Sequence, residues 1–237
     1  MVNFKIDIVS DTVCPWCYIG KKRLEKAISL YRTSHPSTTD TFTTTWLPFY
    51  LNPDPTCLSI DKESYMTSRF GAERAQMIRA RLTQAGEAEG IHFKFGGKTG
   101  YTRDSHRLIQ LAKMKAKAEQ AGAGAGAEVG TGTIDLQTPV VEELFTAYFE
   151  NEEDITAREV LVRAGVRAGL EEAEVKKWLE SGEGGEVVDR EVEEARGRRF
   201  VTGVPHFTIQ GKYVIEGAEG PGEFLEVFER IKGEEGG

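Results

Sequence analysis

The sequence predicts an α/β fold in which a four-stranded sheet with two helices is interrupted by an all-helical insertion. Residues 1–55 read as strand–helix–strand and residues 200–237 as strand–strand–helix, while the residues between carry almost only helical periodicity. Each end is too small to bury a core alone, so 1–55 and 200–237 are assigned to one domain and 56–199 to the insertion.

The first strand rests on Phe4, Ile6 and Ile8 alternating with Lys5 and Asp7. After the polar connection Ser10-Asp11-Thr12-Val13 the period becomes helical, with Cys17, Leu24, Ala27, Ile28 and Tyr31 on one side. Pro15 suits the first helical position, where its missing N–H costs nothing, and Thr33-Ser34-His35-Pro36 ends the helix. Phe42, Thr44 and Trp46 alternate as the second strand, closed by Pro48 and a turn-rich Asn52-Pro53-Asp54-Pro55.

Within the insertion, Thr138-Pro139 reads as a cap and first turn ahead of Val141, Leu144, Phe145 and Tyr148. Thr156-x-x-Glu159 reads as a capping box. Glu171–Leu179 and Val187–Ala195 add two amphipathic helices. A glycine- and alanine-rich stretch near 119–133 reads as a flexible loop, as does the tail Gly233–Gly237. Strand character returns in Phe207-Thr208-Ile209 and Tyr213-Val214-Ile215, joined by Gln210-Gly211-Lys212, and Pro221 opens a last helix through Phe224, Leu225, Phe228 and Ile231.

The net charge of −8 argues against a nucleic-acid or anionic-membrane footprint. No apolar run is long enough to span a bilayer, and the alternating amino terminus contains no secretory apolar core, so a cytoplasmic protein is expected. Three cysteines are too few for a disulfide scaffold.

The chemical signal is Cys14-Pro15-Trp16-Cys17. Two intervening residues at a helix start let the sulfurs close a disulfide with little backbone movement. Cys14 stands where free N–H groups and the helix dipole favour an anion, which makes it the attacking thiolate. Cys17, one turn on and facing inward, is the shielded resolving thiol. A structural zinc site would need a second ligand pair, and Cys57, His35, His92, His106 and His206 lack such spacing. Cys57 reads as a bystander thiol. Asp11 reads first as a cap and His106 as a core or capping residue.

Ser10-Asp11-x-x-Cys14-Pro15-Trp16-Cys17-Tyr18-Ile19-Gly20 resembles the opening of DsbA-like thiol–disulfide oxidoreductases of the FrnE type. The resemblance continues through Phe49-x-Leu51-Asn52-Pro53, Ser105-His106-Arg107-Leu108, Leu144-Phe145-x-Ala147-Tyr148-Phe149 and Gly203-Val204-Pro205-x-Phe207. It implies a thioredoxin-like fold with an inserted helical domain, with Cys14 as nucleophile and Cys17 as resolving cysteine. It implies a cis Val204-Pro205 bond facing the cysteines, offering the backbone edge of Val204 to an extended substrate. Pro15, Trp16, Val204, Pro205 and His206 are the residues expected to meet substrate, with a solvated loop position the default for His206.

Two departures from the family pattern are His206 itself and Glu219 in Gly217-Ala218-Glu219, an acid expected to discourage a small anionic ligand. Kappa-class glutathione transferases and hydroxychromene-carboxylate isomerases are also similar, but they carry serine at the position of Cys14. A glutathione-dependent isomerase or transferase on a small aromatic substrate is therefore the alternative, and a chaperone-like binder using the helical cap is a third reading. The expected partner is a thiol- or disulfide-bearing protein or small molecule. No tightly bound cofactor or metal is expected, and glutathione is the redox partner that the expected compartment suggests.

Overall fold

The computed structural model describes residues 1–122 and 134–235. Its sheet is built around β1 (Asn3–Ser10), which pairs in parallel with β2 (Thr41–Pro48) on one side. On the other side β1 pairs antiparallel with β5 (His206–Ile209), and β5 continues into β6 (Tyr213–Glu216) as a hairpin. The order is therefore β2-β1-β5-β6. Strands from both ends of the chain complete one sheet, as the alternating patterns imply.

Helices α1 (Pro15–Ser34) and α9 (Pro221–Glu235) cover one face. Phe4 of β1 meets Tyr31 of α1 at 5.2 Å and Phe228 of α9 at 5.1 Å between ring centroids. Between β2 and β5 the chain forms α2 (Lys62–Phe70), α3 (Ala72–Glu87), α4 (Arg103–Gly122), α5 (Gln137–Phe145), α6 (Arg158–Arg167), α7 (Glu172–Ser181) and α8 (Gly185–Gly197). This is an α/β fold with a helical insertion. A two-residue ladder, β3 (Ile60–Asp61) with β4 (Lys98–Thr99), pins the start of α2. On the opposite sheet face Val9 packs with Phe49, Ala195 of α8 and Val201.

The resemblance block Ser105-His106-Arg107 is structural. Thr12 Oγ1 and Ser105 Oγ lie 2.7 Å apart. Arg107 is buried and donates to the Trp178, Leu179 and Glu183 carbonyls, satisfying the carboxyl end of α7.

Several local expectations are corrected. Thr138 does not cap α5: its N–H donates to Asp135 Oδ1 at 2.9 Å, while its hydroxyl accepts from Trp46 Nε1 at 2.9 Å. Thr156 and Glu159 form no capping box: the Thr156 N–H and hydroxyl both donate to Asp154 Oδ1, and α6 starts after Ala157 without a side-chain cap. In both places a carboxylate just upstream outcompetes the hydroxyl, because a charged acceptor forms the stronger bond. The tail is helical as far as Glu235, where Lys212 and Tyr213 hold Glu234 at 2.8 and 2.6 Å. Of the stretch near 119–133, residues 119–122 finish α4 and the rest lie outside the described residues. His206 is no loop residue. It is a buried position of β5, opposite Val9 and Glu216, and its Nδ1 has no hydrogen-bond partner among the described residues.

Candidate active site

Cys14 occupies the cap position of α1 in extended conformation, and Pro15 takes the first helical turn. The Cys14 N–H donates to the Asp11 carbonyl at 3.0 Å, and the Cys17 N–H to the Cys14 carbonyl at 3.1 Å. The two thiols are therefore presented by one turn of backbone, unbonded and within hydrogen-bond reach of each other. Cys17 is 1% exposed. Burial pushes its thiol well up, the hydrogen bond to Cys14 and the charge of Cys14 add to this, and the Ser10 hydroxyl and Asp11 backbone oppose it.

The Val204-Pro205 peptide bond is cis. The Cys14 thiol donates to the Val204 carbonyl at 3.5 Å, so the loop before β5 closes directly over the helix start. Gly20 makes this approach possible: a Cβ there would sit 3.1 Å from both Pro205 Cγ and Phe207 Cζ. Asp11 is fully buried. Its Oδ2 accepts from the Leu51 N–H at 2.8 Å, and Oδ1 lies 3.4 Å from His106 Nε2. His106 Nε2 also reaches the Phe49 carbonyl at 3.1 Å, so both residues brace the loop after β2.

Although Cys14 is only 3% exposed, it borders a pocket of about 350 Å³. Pro15, Trp16 and Val204 share that lining, and the far wall comes from the insertion, including Tyr148 and Phe149 on the π-helical turn Thr146–Glu150. The volume lies in the range of sites that take small molecules, about 300–1,000 Å³. Of the substrate-contact residues expected from sequence, Pro15, Trp16 and Val204 line the pocket; Pro205 packs beneath on Gly20 and His206 is elsewhere in the sheet. Glu219 is exposed and outside the lining. Tyr18 is core: its ring stacks on Phe145 at 5.0 Å and its hydroxyl donates to Glu150 at 2.7 Å.

Sequence reasoning missed the insertion's contribution. Lys62, Arg69 and Arg79 on α2 and α3 join the lining, and the Arg81 guanidinium lies 5.1 Å over the Trp16 ring. Cys57 also lines the pocket, 4% exposed, with burial and then the charge of Asp54 raising its thiol. Among the described residues no cluster of His, Cys, Asp and Glu has the makings of a metal site. No described helix is long and apolar enough to cross a membrane.

A family model, the DSBA-like thioredoxin domain, matches residues 5–229. The chain belongs to this DsbA-like family. The sheet order, the helix carrying both cysteines and the cis proline opposite them are thus parts of a thioredoxin fold with a helical insertion. YwbO of Bacillus subtilis (strain 168), an uncharacterized protein, is 25% identical over 230 residues, 97% of this chain and 96% of that one. A probable DsbA oxidoreductase from Streptomyces coelicolor superposes with a TM-score of 0.78 at 26% identity, covering 98% of this chain and 91% of that one. The cytosolic disulfide reductase DsbM from Pseudomonas aeruginosa, solved with GSH, shares the fold at TM-score 0.58 and 15% identity, over 96% of this chain and 98% of that one.

Proposed function

We propose that this DsbA-like protein is a thiol–disulfide oxidoreductase working through a mixed disulfide on Cys14. The observation that carries the reading is the placement of Cys14, bordering the pocket beside Val204 with the buried Cys17 thiol directly behind it. Cys14 thiolate attacks one sulfur of a substrate disulfide, forming a Cys14–substrate disulfide and releasing the first substrate thiolate. Cys17 then gives up its proton and attacks the Cys14 sulfur, releasing the second thiolate and leaving a Cys14–Cys17 disulfide. The substrate gains two electrons and the protein loses two. Two glutathione thiols would reverse the change, becoming glutathione disulfide; the cytosolic DsbM solved with GSH motivates this choice of donor and of a cytoplasmic setting.

Pro15, Trp16 and Val204 are assigned to substrate contact because they flank the sulfur in the pocket. The Val204 N–H has no hydrogen-bond partner among the described residues, which suits pairing with an extended segment. The alternative, a glutathione-dependent isomerase or transferase, needs no disulfide-forming pair, so the pairing of Cys14 with a buried Cys17 thiol favours exchange. Reduction of insulin disulfides with glutathione as donor tests the reading. Turnover that vanishes in Cys14→Ser supports it, and full turnover in that variant overturns it.

A further inference from the structure

Among the described residues, the pocket beside Cys14 is lined by four cations, Lys62, Arg69, Arg79 and Lys94, and by no carboxylate, in a chain of net charge −8. Arg79 has a partner in Glu63 at 3.1 Å and Arg69 in the Tyr65 hydroxyl. Lys62 differs from both. It is 7% exposed, at the start of α2, with its N–H fixed on the Gly97 carbonyl at 3.0 Å. Its ammonium donates to the Tyr148 carbonyl at 2.9 Å and lies 3.7 Å over the Tyr148 ring. No carboxylate comes within salt-bridge distance among the described residues; Glu152 and Asp154 act only from farther off.

A buried ammonium without a counter-ion is expensive, and one carbonyl and one ring face offset only part of the lost hydration. Burial draws its pKa down to about 8, against the upward pull of Glu152 and Asp154, which leaves it mainly charged at neutral pH. Holding the Tyr148 carbonyl does not require a charge. A carboxylate entering the pocket would supply the missing partner, in a wall that already offers Trp16, Phe93 and Phe149 to an apolar body.

We propose, resting on the oxidoreductase reading above, that Lys62 sets substrate choice and that the pocket takes a disulfide whose apolar group bears a carboxylate. The carboxylate meets Lys62, the apolar part lies along the aromatic wall, and the disulfide reaches Cys14. The electron balance is the one already written: the substrate disulfide becomes two thiolates and the cysteine pair becomes a disulfide.

The test is single-turnover oxidation of the reduced 237-residue chain by three disulfides: 5,5'-dithiobis(2-nitrobenzoate), aromatic and anionic; 4,4'-dithiodipyridine, aromatic and neutral; and cystamine, cationic. Each rate is divided by that of a free reference thiol with the same probe. We expect the wild-type anionic-to-neutral ratio to exceed unity by about tenfold, cystamine to be slowest, and added salt to shrink the ratio. Lys62→Met should cut the ratio several-fold, and Lys62→Arg should retain most of it. A wild-type ratio near one and insensitive to salt overturns the proposal, as does a full ratio in Lys62→Met. If Lys62→Met does not fold, the wild-type ratio and its salt series decide. Failure of Cys14 to react with any probe, the neutral one included, would instead bring down the oxidoreductase reading itself.

Discussion

The Cys14 thiol and the Val204 carbonyl meet at 3.5 Å across 190 residues of sequence. The loop before β5 is thus held on the start of α1. The sulfur is thereby confined between a helix mouth, a cis proline loop and the wall of the insertion. The consequences are testable one at a time.

The resolving step should be strongly pH dependent. Cys17 attacks only as thiolate, and burial, its first perturbation, persists when Cys14 is tied up in a mixed disulfide. Below the raised pKa, each pH unit upward yields about tenfold more thiolate. We expect the decay of a Cys14 mixed disulfide to accelerate through and beyond about pH 8.5, the range where an ordinary thiol levels off. Rapid-quench measurement across that range checks it; a plateau below about pH 8 would contradict a shielded Cys17.

Gly20→Ala sets two effects against each other. Alanine is better than glycine inside a helix by about 0.5–1 kcal/mol. Its Cβ would press on Pro205 and Phe207 at 3.1 Å, both buried, and overpacking of this kind costs about 1–3 kcal/mol. The clash should win, giving net destabilisation of about 1 kcal/mol by chemical denaturation. A stabilised variant would mean that the loop yields.

Asp40 should account for part of any acid unfolding. Its carboxylate accepts from the Val2 N–H at 2.7 Å and the Tyr31 hydroxyl at 2.8 Å and pairs with Lys232. Burial pushes its pKa up, but Lys232, Thr38, Val2 and Tyr31 together override this and hold it well below the usual range. A depressed folded pKa gives stability that is present above the unfolded value, about 3.9, and lost as pH falls towards the folded one. Asp40→Asn should therefore cost about 3 kcal/mol at neutral pH, with the gap to wild type closing below about pH 4. Thermal or denaturant melts at both pH values measure it, and a gap that stays constant would remove the ionic origin.

Cys57 should be the slow thiol. Burial raises it and no cysteine partner is bonded to it. Titration of the reduced chain with a neutral disulfide should show Cys14 and Cys17 consumed quickly and the third thiol slowly, and Cys57→Ala should delete only the slow phase. Loss of the fast phase in that variant would give Cys57 a part in exchange.

Much of this frame is legible in the sequence because periodicity reports local burial. Phe4, Ile6 and Ile8 alternate because one sheet face is covered by α1 and α9, and Pro15 marks where α1 begins. The cysteine pair is legible for the same reason, since its geometry is local to one turn. What stays hidden is whatever depends on distant partners. Thr138 and Thr156 look like caps until Asp135 and Asp154 are seen to compete. His206 looks like a loop residue because its strand is only four residues long and its partner across the sheet, Val9, is far away in the sequence. Lys62 carries no local signal, because its partner Tyr148 lies 86 residues on.

The most direct test of the central claim is to trap the exchange intermediate. Reduced Cys17→Ser, given a disulfide substrate, should accumulate one substrate thiol covalently bound through Cys14, with release of a single substrate thiolate per chain as read by mass spectrometry. Wild type should release two and hold none. A Cys17→Ser variant that releases two thiolates, or an adduct located on Cys57 in place of Cys14, would contradict the mechanism.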